Sequence, residues 1–339
     1  MKTAKKMAAF VLLIAMMFTI AACGGNGSTG GNQSTGDAQP QEQAEKKIRV
    51  AMVFSGPVND NSWNGSGYAG LKKIEEGLGV EIAFSDQVPV PEFEEAFRDY
   101  ASKGYDLVIG HGGEFSDAAF AVAQEFPDVH FSVVNGNKNA ANLSTFEVCD
   151  EQVAFLAGAV AGLMTKSNVV SGIGGMEIPP TYRSLEGYKA GVLYVNPDAQ
   201  VLSTYTGSFE DAAKAKEAAL AHLESGADIV FYYLNAASPG VIQAAQEKGA
   251  KAIATITDQY DQAPDTILTS ALSDLSQLVY LIGEQFVKGS IKGQPYAIGV
   301  AHEDIVGLAP FRGQVPAEVE ARIAEIKEEL VKGNITVLP

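Results

Sequence analysis

Several things are scarce in this sequence, and each shortage closes a route. Among 339 residues there are two cysteines, Cys23 and Cys149, so no disulfide framework holds the chain together. The four histidines, His111, His130, His222 and His302, show no metal-ligand spacing. Basic residues are outnumbered, 24 Lys and Arg against 41 Asp and Glu, for a formal net charge of −17. A nucleic-acid partner demands a basic face, so this balance argues against one, as it does against lying flat on anionic lipid. Beyond residue 48 no apolar run reaches membrane-spanning length without charges or Gly/Pro interruptions. There is no Walker A sequence. Gly172-Ile173-Gly174-Gly175-Met176-Glu177 misses the dinucleotide pattern at its last glycine, and no nucleophile elbow surrounds Ser66. Nothing here supports catalysis, and neither a cofactor nor a metal is expected.

What is present starts with a targeting pattern. Lys2, Lys5 and Lys6 precede an apolar stretch from Ala8 to Ala22, too short to span a bilayer comfortably. It ends in Ile20-Ala21-Ala22-Cys23, followed by Gly24-Gly25, which resembles a bacterial lipobox. That resemblance implies a signal peptide over 1–22, cleaved before Cys23, and a lipoprotein with acyl chains (palmitate among them) on the Cys23 thiol and new amine. The expected location is the extracytoplasmic face of the bacterial cell membrane, with the bilayer as a partner through Cys23. Loss of three lysines takes the formal charge from −17 to −20. Residues 23–47, rich in Gly, Ser, Asn and Gln, have no apolar periodicity and form a flexible tether with a reach of roughly 25–30 Å. Cys149, left without a partner, is expected to be a small buried residue.

From 48 onward the chain is long enough for two lobes. Short β-branched runs, such as Ile48–Phe54, Val80–Phe84, Leu107–Ile109, Val129–Val134, Val169–Ile173, Ile229–Tyr232 and Ala252–Thr255, alternate with amphipathic stretches such as Glu92–Lys103, Asp117–Phe126, Pro180–Val195 and Glu210–Ser225. This alternation predicts parallel sheets with helices on both faces. The halves echo each other: Lys103-Gly104-Tyr105-Asp106 and Ser225-Gly226-Ala227-Asp228 each lead into an apolar run. The expected fold class is α/β, two similar doubly wound parallel-sheet lobes with a ligand in the cleft between them. The boundaries read as 48–147 plus 257–289 for the N-terminal lobe and 148–256 plus 290–339 for the C-terminal lobe.

Ligands of such sheets bind beyond the carboxyl ends of the strands. After the first strand and Ser55-Gly56-Pro57 come Asn59-Asp60-Asn61-Ser62-Trp63-Asn64, with the only tryptophan of the chain. A flat aromatic beside an acid and amides can stack on a ring and bond its edge, or it can simply cover the strand end. Other strand ends supply further candidates. His111 and Glu114, in Gly110-His111-Gly112-Gly113-Glu114, are placed to read a heterocycle edge. Met176 offers a soft wall, Phe209 a second stacking face, and Asn235 and Asp258 polar contacts. Alternation puts one of Tyr232 and Tyr233 toward the cleft, and Tyr232 joins the candidates with that choice open.

Several stretches together resemble the basic membrane protein family, the purine-nucleoside-receptor-like group of ABC-transporter substrate-binding lipoproteins. They are Cys23 with its lipobox, Asn59-Asp60-x-Ser62-aromatic-Asn64, Phe126-Pro127-Asp128-Val129, Glu151-x3-Phe155-Leu156-Ala157-Gly158, Gly172-x-Gly174-Gly175-Met176, Glu186-Gly187-x3-Gly191, Asn196-Pro197-Asp198 and Gly307-Leu308-Ala309-Pro310-Phe311. The resemblance implies a type I periplasmic-binding-protein fold with a three-strand hinge, closing on a purine nucleoside or nucleobase, and an ABC permease as partner. It also implies that Asp60 accepts ligand hydrogen bonds, Trp63 stacks on the ring and Asn64 bonds its edge. Two departures stand out. Where nucleoside-binding members show acid-x-acid, this chain has Ile256-Thr257-Asp258. Where they carry a lysine soon after Thr-Ser, it runs Thr269-Ser270-Ala271-Leu272-Ser273. A free base or another flat heterocycle therefore stands beside a nucleoside as candidate ligand. A sensor lipoprotein for the same ligands, and a nucleoside-processing enzyme on the same scaffold, are the rival functions. A monomer is expected.

Overall fold

The computed structural model describes residues 47–60 and 63–338. Cys23, the signal segment and all of the tether except Lys47 lie outside the described residues. The first part of the chain runs β1 (Arg49–Val53), α1 (Trp63–Leu78), β2 (Glu81–Ser85), α2 (Phe93–Ser102), β3 (Leu107–His111), α3 (Ser116–Glu125), β4 (His130–Val134) and β5 (Leu143–Val148). It continues with α4 (Asp150–Met164), β6 (Val169–Gly174), α5 (Pro179–Val195), β7 (Gln200–Tyr205), α6 (Ala212–Glu224), β8 (Ile229–Tyr233), α7 (Ser238–Lys248), β9 (Lys251–Ile256) and β10 (Ile267–Ser273). The last elements are α8 (Leu275–Val287), β11 (Pro295–Ile298), β12 (Val306–Leu308) and α9 (Ala317–Val331).

Two six-stranded sheets result, in the orders β11-β5-β4-β3-β1-β2 and β12-β10-β9-β8-β6-β7. All pairings are parallel except that of β12 with β10. Parallel sheets need both faces covered, so their central strands are mostly apolar, and every residue of β3 is buried. Phe93, Phe97 and Tyr100 of α2 and Val122 of α3 cover one face of the first sheet. Leu71 and Ile74 of α1 and Leu278 and Ile282 of α8 cover the other, in a core that continues through α4 and α5 into the second sheet. Val241 and Ile242 of α7 close the far face of the second sheet with Ala215 and Ala219 of α6.

The chain passes between sheets three times, after β5, after β10 and after β11. The expected lobe boundaries need correction here. β10 pairs with β9 and β12, so residues 257–273 go with the second sheet and not the first. β11 pairs with β5, so 290–298 go with the first. Neither Ile267–Ser273 nor Pro295–Ile298 carries a local signal of the sheet it joins. Only their pairing, which periodicity does not encode, tells which sheet each joins.

The closest helix contact joins α4 and α5, and glycine permits it. A methyl group on Gly158 would lie 1.9 Å from the Tyr188 carbonyl oxygen, and one on Gly191 would lie 1.9 Å from the Phe155 carbonyl oxygen. Gly187 sits likewise against Glu151, where the separation would be 2.4 Å. Two of the sequence stretches singled out above are thus two faces of one backbone-to-backbone contact. Gly191→Ala should cost about 3 kcal/mol or more, because backbone atoms cannot step aside as a side chain can. Gly249→Ala, at a left-handed helix end with open space around it, should cost about 1 kcal/mol. Urea unfolding of both variants checks the pair; equal losses would refute the close approach.

Candidate ligand-binding site

In the order β2-β1-β3, the loops that leave β1 and β3 diverge to opposite faces, which opens a crevice at their carboxyl ends. The β1 loop is tied down by Asp60. Its carboxylate accepts from the Asn64 N–H at 3.0 Å, the Asn64 Nδ2 at 2.9 Å and the Gly65 N–H at 2.8 Å, capping the first turn of α1. Trp63 opens that helix and is half-buried. Its indole lies on the His111 imidazole, with ring centres 4.4 Å apart and 22° between planes. The indole N–H donates to the His111 carbonyl at 3.3 Å. The His111 Nε2 lies 2.8 Å from the Trp63 carbonyl. Since a carbonyl only accepts, that nitrogen carries the proton, and Nδ1 keeps its lone pair.

His111 is fully buried. Its Nδ1 and the Asn64 Oδ1 are both enclosed without a partner. Burial pulls the His111 pKa down to about 4, against the opposing pull of the Trp63 carbonyl and Asp60. The sequence reading put His111 in contact with ligand, whereas the fold seats it beneath the indole. Glu114 is exposed and accepts from the Ser55 hydroxyl at 2.7 Å, which links the β3 turn to the β1 loop.

On the second lobe, Met176 is exposed at the end of β6. Phe209 packs on Gly175, where any side chain would collide with its ring. The Phe209 carbonyl accepts from the Asn235 N–H at 3.1 Å and the Ala237 N–H at 3.0 Å, and the Asn235 amide donates to Glu210 at 3.3 Å. Phe209, Gly175 and Asn235 are therefore brought together. Tyr232 is not part of that group. It is fully buried, and its hydroxyl donates to Gln259 Oε1 at 2.9 Å, because residues facing α6 and α7 alternate with those facing α4 and α5 along β8. Through Gln259 it braces the turn that carries Asp258. Asp258 itself accepts from Arg312 Nη2 at 2.5 Å, and the Arg312 guanidinium stands 4.6 Å over the Tyr260 ring.

The sequence reading missed the floor between the lobes. Asp150, the first residue of α4, is buried and accepts from the Ser273 hydroxyl at 2.8 Å, joining the first crossing to the second. Gln152 accepts from the Val300 N–H at 3.1 Å, joining the first to the third. The Asp274 N–H donates to the Ile305 carbonyl at 2.8 Å, joining second to third. Arg183 of α5 reaches back to Glu147 on β5 and lies 3.6 Å from Glu151. Tyr233 is partly exposed, yet its hydroxyl is buried beside Asp150, which raises its pKa well above the usual range. Burial pushes Asp150 up to about 6 and the Cys149 thiol up to about 12. The only sequence trace of this floor is the acid run Glu147-x-x-Asp150-Glu151 beside a β-strand end.

Among the described residues, no three His, Cys, Asp or Glu side chains converge to hold a metal. No described helix is long and apolar enough to cross a membrane. Two surface hollows of about 420 and 440 Å³ lie beside the edge strands, one lined by Ser85 at the end of β2 with α2, the other by Thr204 and Thr206 at the end of β7 with α6.

Two doubly wound lobes joined by three crossings define a type I periplasmic-binding-protein fold. The profile of one family, described as ABC transporter substrate-binding protein, PnrA-like, matches residues 47–337, and the chain belongs to that family. It is 29% identical over 294 residues to a purine-binding protein of Brucella abortus, covering 86% of this chain and 83% of that one. It is also 29% identical over 279 residues to a protein of Bacillus subtilis named as a transcriptional activator, covering 82% and 87%. Among solved structures, an ABC transporter solute-binding protein of Conexibacter woesei superposes with a TM-score of 0.69 at 28% identity, covering 86% of this chain and 98% of that one.

The buried titrating groups set a pH dependence. His111 and His130, both lowered from 6.5 to about 4, take up protons more readily when unfolded, so each loses stability as pH falls from 6.5 to 4. Asp150, raised from 3.8 to about 6, works the other way and gains stability as pH falls from 6 to 4. His222, lowered by the same cause, adds to the histidine side, so three groups against one give a net loss on acidification. Urea unfolding at pH 7, 5 and 4 should show that loss, shallower in His130→Gln and steeper in Asp150→Asn. A flat wild-type profile would contradict the burial of these histidines.

Proposed function

We propose that this protein is the substrate-binding lipoprotein of an ABC importer. It is held by acylated Cys23 on the extracytoplasmic face of the membrane, captures a purine nucleoside or nucleobase between its lobes, and delivers it to a permease. The observation that carries the ligand class is the half-buried indole of Trp63, held in a fixed plane at the switch point of the first sheet. The name of the Brucella abortus relative points the same way. Asp60 and Asn64 flank the indole on the first lobe, and Phe209, Met176 and Asn235 are offered from the second. Ligand contacts drawn from both lobes exist together only when the lobes are closed, so the ligand shifts the population toward the closed form. That form is the one a permease can recognise. The absence of an acid at Ile256 and of a lysine near Ser273 removes charge from where a sugar would be held, which favours base recognition over ribose recognition. ATP is hydrolysed by other components of such a transporter.

Thermal-shift and calorimetric titration with adenosine, guanosine, adenine, ribose and amino acids test the assignment. Purines should raise the midpoint by mass action while ribose and amino acids leave it unchanged. Trp63→Ala should weaken purine binding roughly ten- to hundredfold, since stacking of a base on an aromatic ring is worth ~1–3 kcal/mol. A response to sugars or amino acids alone would sink the ligand class, and unchanged purine affinity in Trp63→Ala would remove the indole from the site.

A further inference from the structure

The contact between Trp63 and His111 holds more than a packing interaction requires. The residues are 48 positions apart, yet each side chain bonds the backbone of the other. The indole N–H donates to the His111 carbonyl at 3.3 Å, and the imidazole Nε2–H donates to the Trp63 carbonyl at 2.8 Å. Between these two bonds the rings stack at 4.4 Å. The imidazole is itself held from other sides. Phe54 meets it edge-on at 5.5 Å. Gly67 of α1 faces it where a methyl group would lie 2.6 Å from Nε2, so the helix has been left bare to admit this ring. A ring so enclosed has no path to a ligand, as none of its surface is accessible. The same enclosure costs free energy that burial of an apolar ring would avoid, because Nδ1 is left without a partner. An apolar residue would fill the space more cheaply. What it would not supply is the donor to the Trp63 carbonyl.

We propose that His111 is a positioning residue for ligand capture: a neutral imidazole, fixed as the Nε2–H tautomer, that locks the plane of the Trp63 indole before any ligand arrives. One indole face is spent on the imidazole, and the opposite face is the one left for a ligand ring. The inference rests on the proposal that Trp63 takes the ligand. Locking the indole in advance reduces the ordering cost paid on binding and so strengthens affinity without a new contact. Burial disfavours the charged imidazole, so the lock holds throughout the neutral range.

Trp63 is the only tryptophan, so its fluorescence reports on this one side chain. Time-resolved anisotropy of the ligand-free protein should show the indole turning only with the whole molecule. His111→Leu, which removes ring and donor, should add a nanosecond component of independent motion. His111→Gln, whose amide N–H can reach the same carbonyl, should suppress it. Titration with adenine and adenosine should then give a Kd raised about five- to tenfold in His111→Leu and less than about threefold in His111→Gln, at similar thermal midpoints. Should His111→Leu fail to fold, His111→Phe takes its place, filling the same space without a donor and expected to fall between the other two. An indole that stays immobile in the donor-less variant overturns the proposal, as does new mobility with no change in Kd for a purine that binds the wild type. If no purine binds the wild type, the function assigned above fails instead, and the anisotropy of the ligand-free variants still decides whether His111 holds the indole.

Discussion

The site exists because β1 and β3 lie side by side while the chain leaves them in opposite directions. One loop goes to α1 and β2, the other to α3 and β4, and the backbone between them parts. Any side chain at either strand end is brought to that gap by the sheet's hydrogen bonds, in which Met52 pairs with Ile109 and Val53 with Gly110. Trp63 and His111 meet for this reason, although nearly 50 residues separate them. The ladder is rigid and buried on both faces, so it fixes the loops to within the freedom of a single turn. Asp60 removes most of that freedom by capping α1, and the Ser55–Glu114 bond closes the rim.

The second sheet repeats the device, with β6 and β8 as the diverging pair. The Gly175 N–H donates to the Tyr233 carbonyl at 3.2 Å, continuing the ladder past the last paired residues, and Phe209 folds over that junction. The halves differ in the price of their positions (a helix cap on one side, a glycine collision surface on the other), but each ends with an aromatic ring at its switch point. What couples them is the floor of three crossings, knitted by Ser273 to Asp150, Gln152 to Val300 and Asp274 to Ile305. These bonds join the three crossings to one another, and Arg183 of α5 adds a link to Glu147 on β5.

Most of the fold was legible because parallel strands buried on both faces leave a strong trace: short β-branched runs between helices that stop at glycine. The opening loop was legible as well, since Trp63 and Asp60 stand at a strand end that needs no long-range knowledge to find. What remained hidden depended on pairing. Which sheet β10 and β11 join is decided by neighbours far away in sequence. The choice between Tyr232 and Tyr233 turned on one step of strand alternation, and a single such step reverses the face. Asp150 and Ser273 meet only because the first and second crossings run together, and no local pattern carries that. α4 escaped the periodicity argument for another reason. It is apolar all round, from Val153 to Gly162, because it lies in the core between sheet and helices and has no solvent face to give it a period.

The turn after β9 bears on what the site selects. Ile256 occupies the left-handed region at φ 71°, an uncommon posture for a β-branched side chain that costs of order 1–3 kcal/mol. It is kept there by a short turn, Thr257 N–H to Thr255 carbonyl at 2.8 Å, and by Gln259, whose backbone N–H takes the Ser270 hydroxyl as acceptor at 3.1 Å. The same turn presents Asp258, whose charge Arg312 already neutralises. A position that resembles an acid in nucleoside-binding relatives is thus apolar here, and the acid beside it is engaged by an arginine. Ribose hydroxyls are held by charged acceptors and donors far better than by an isoleucine methyl. These features support the proposal that the ligand is a base, with or without its sugar.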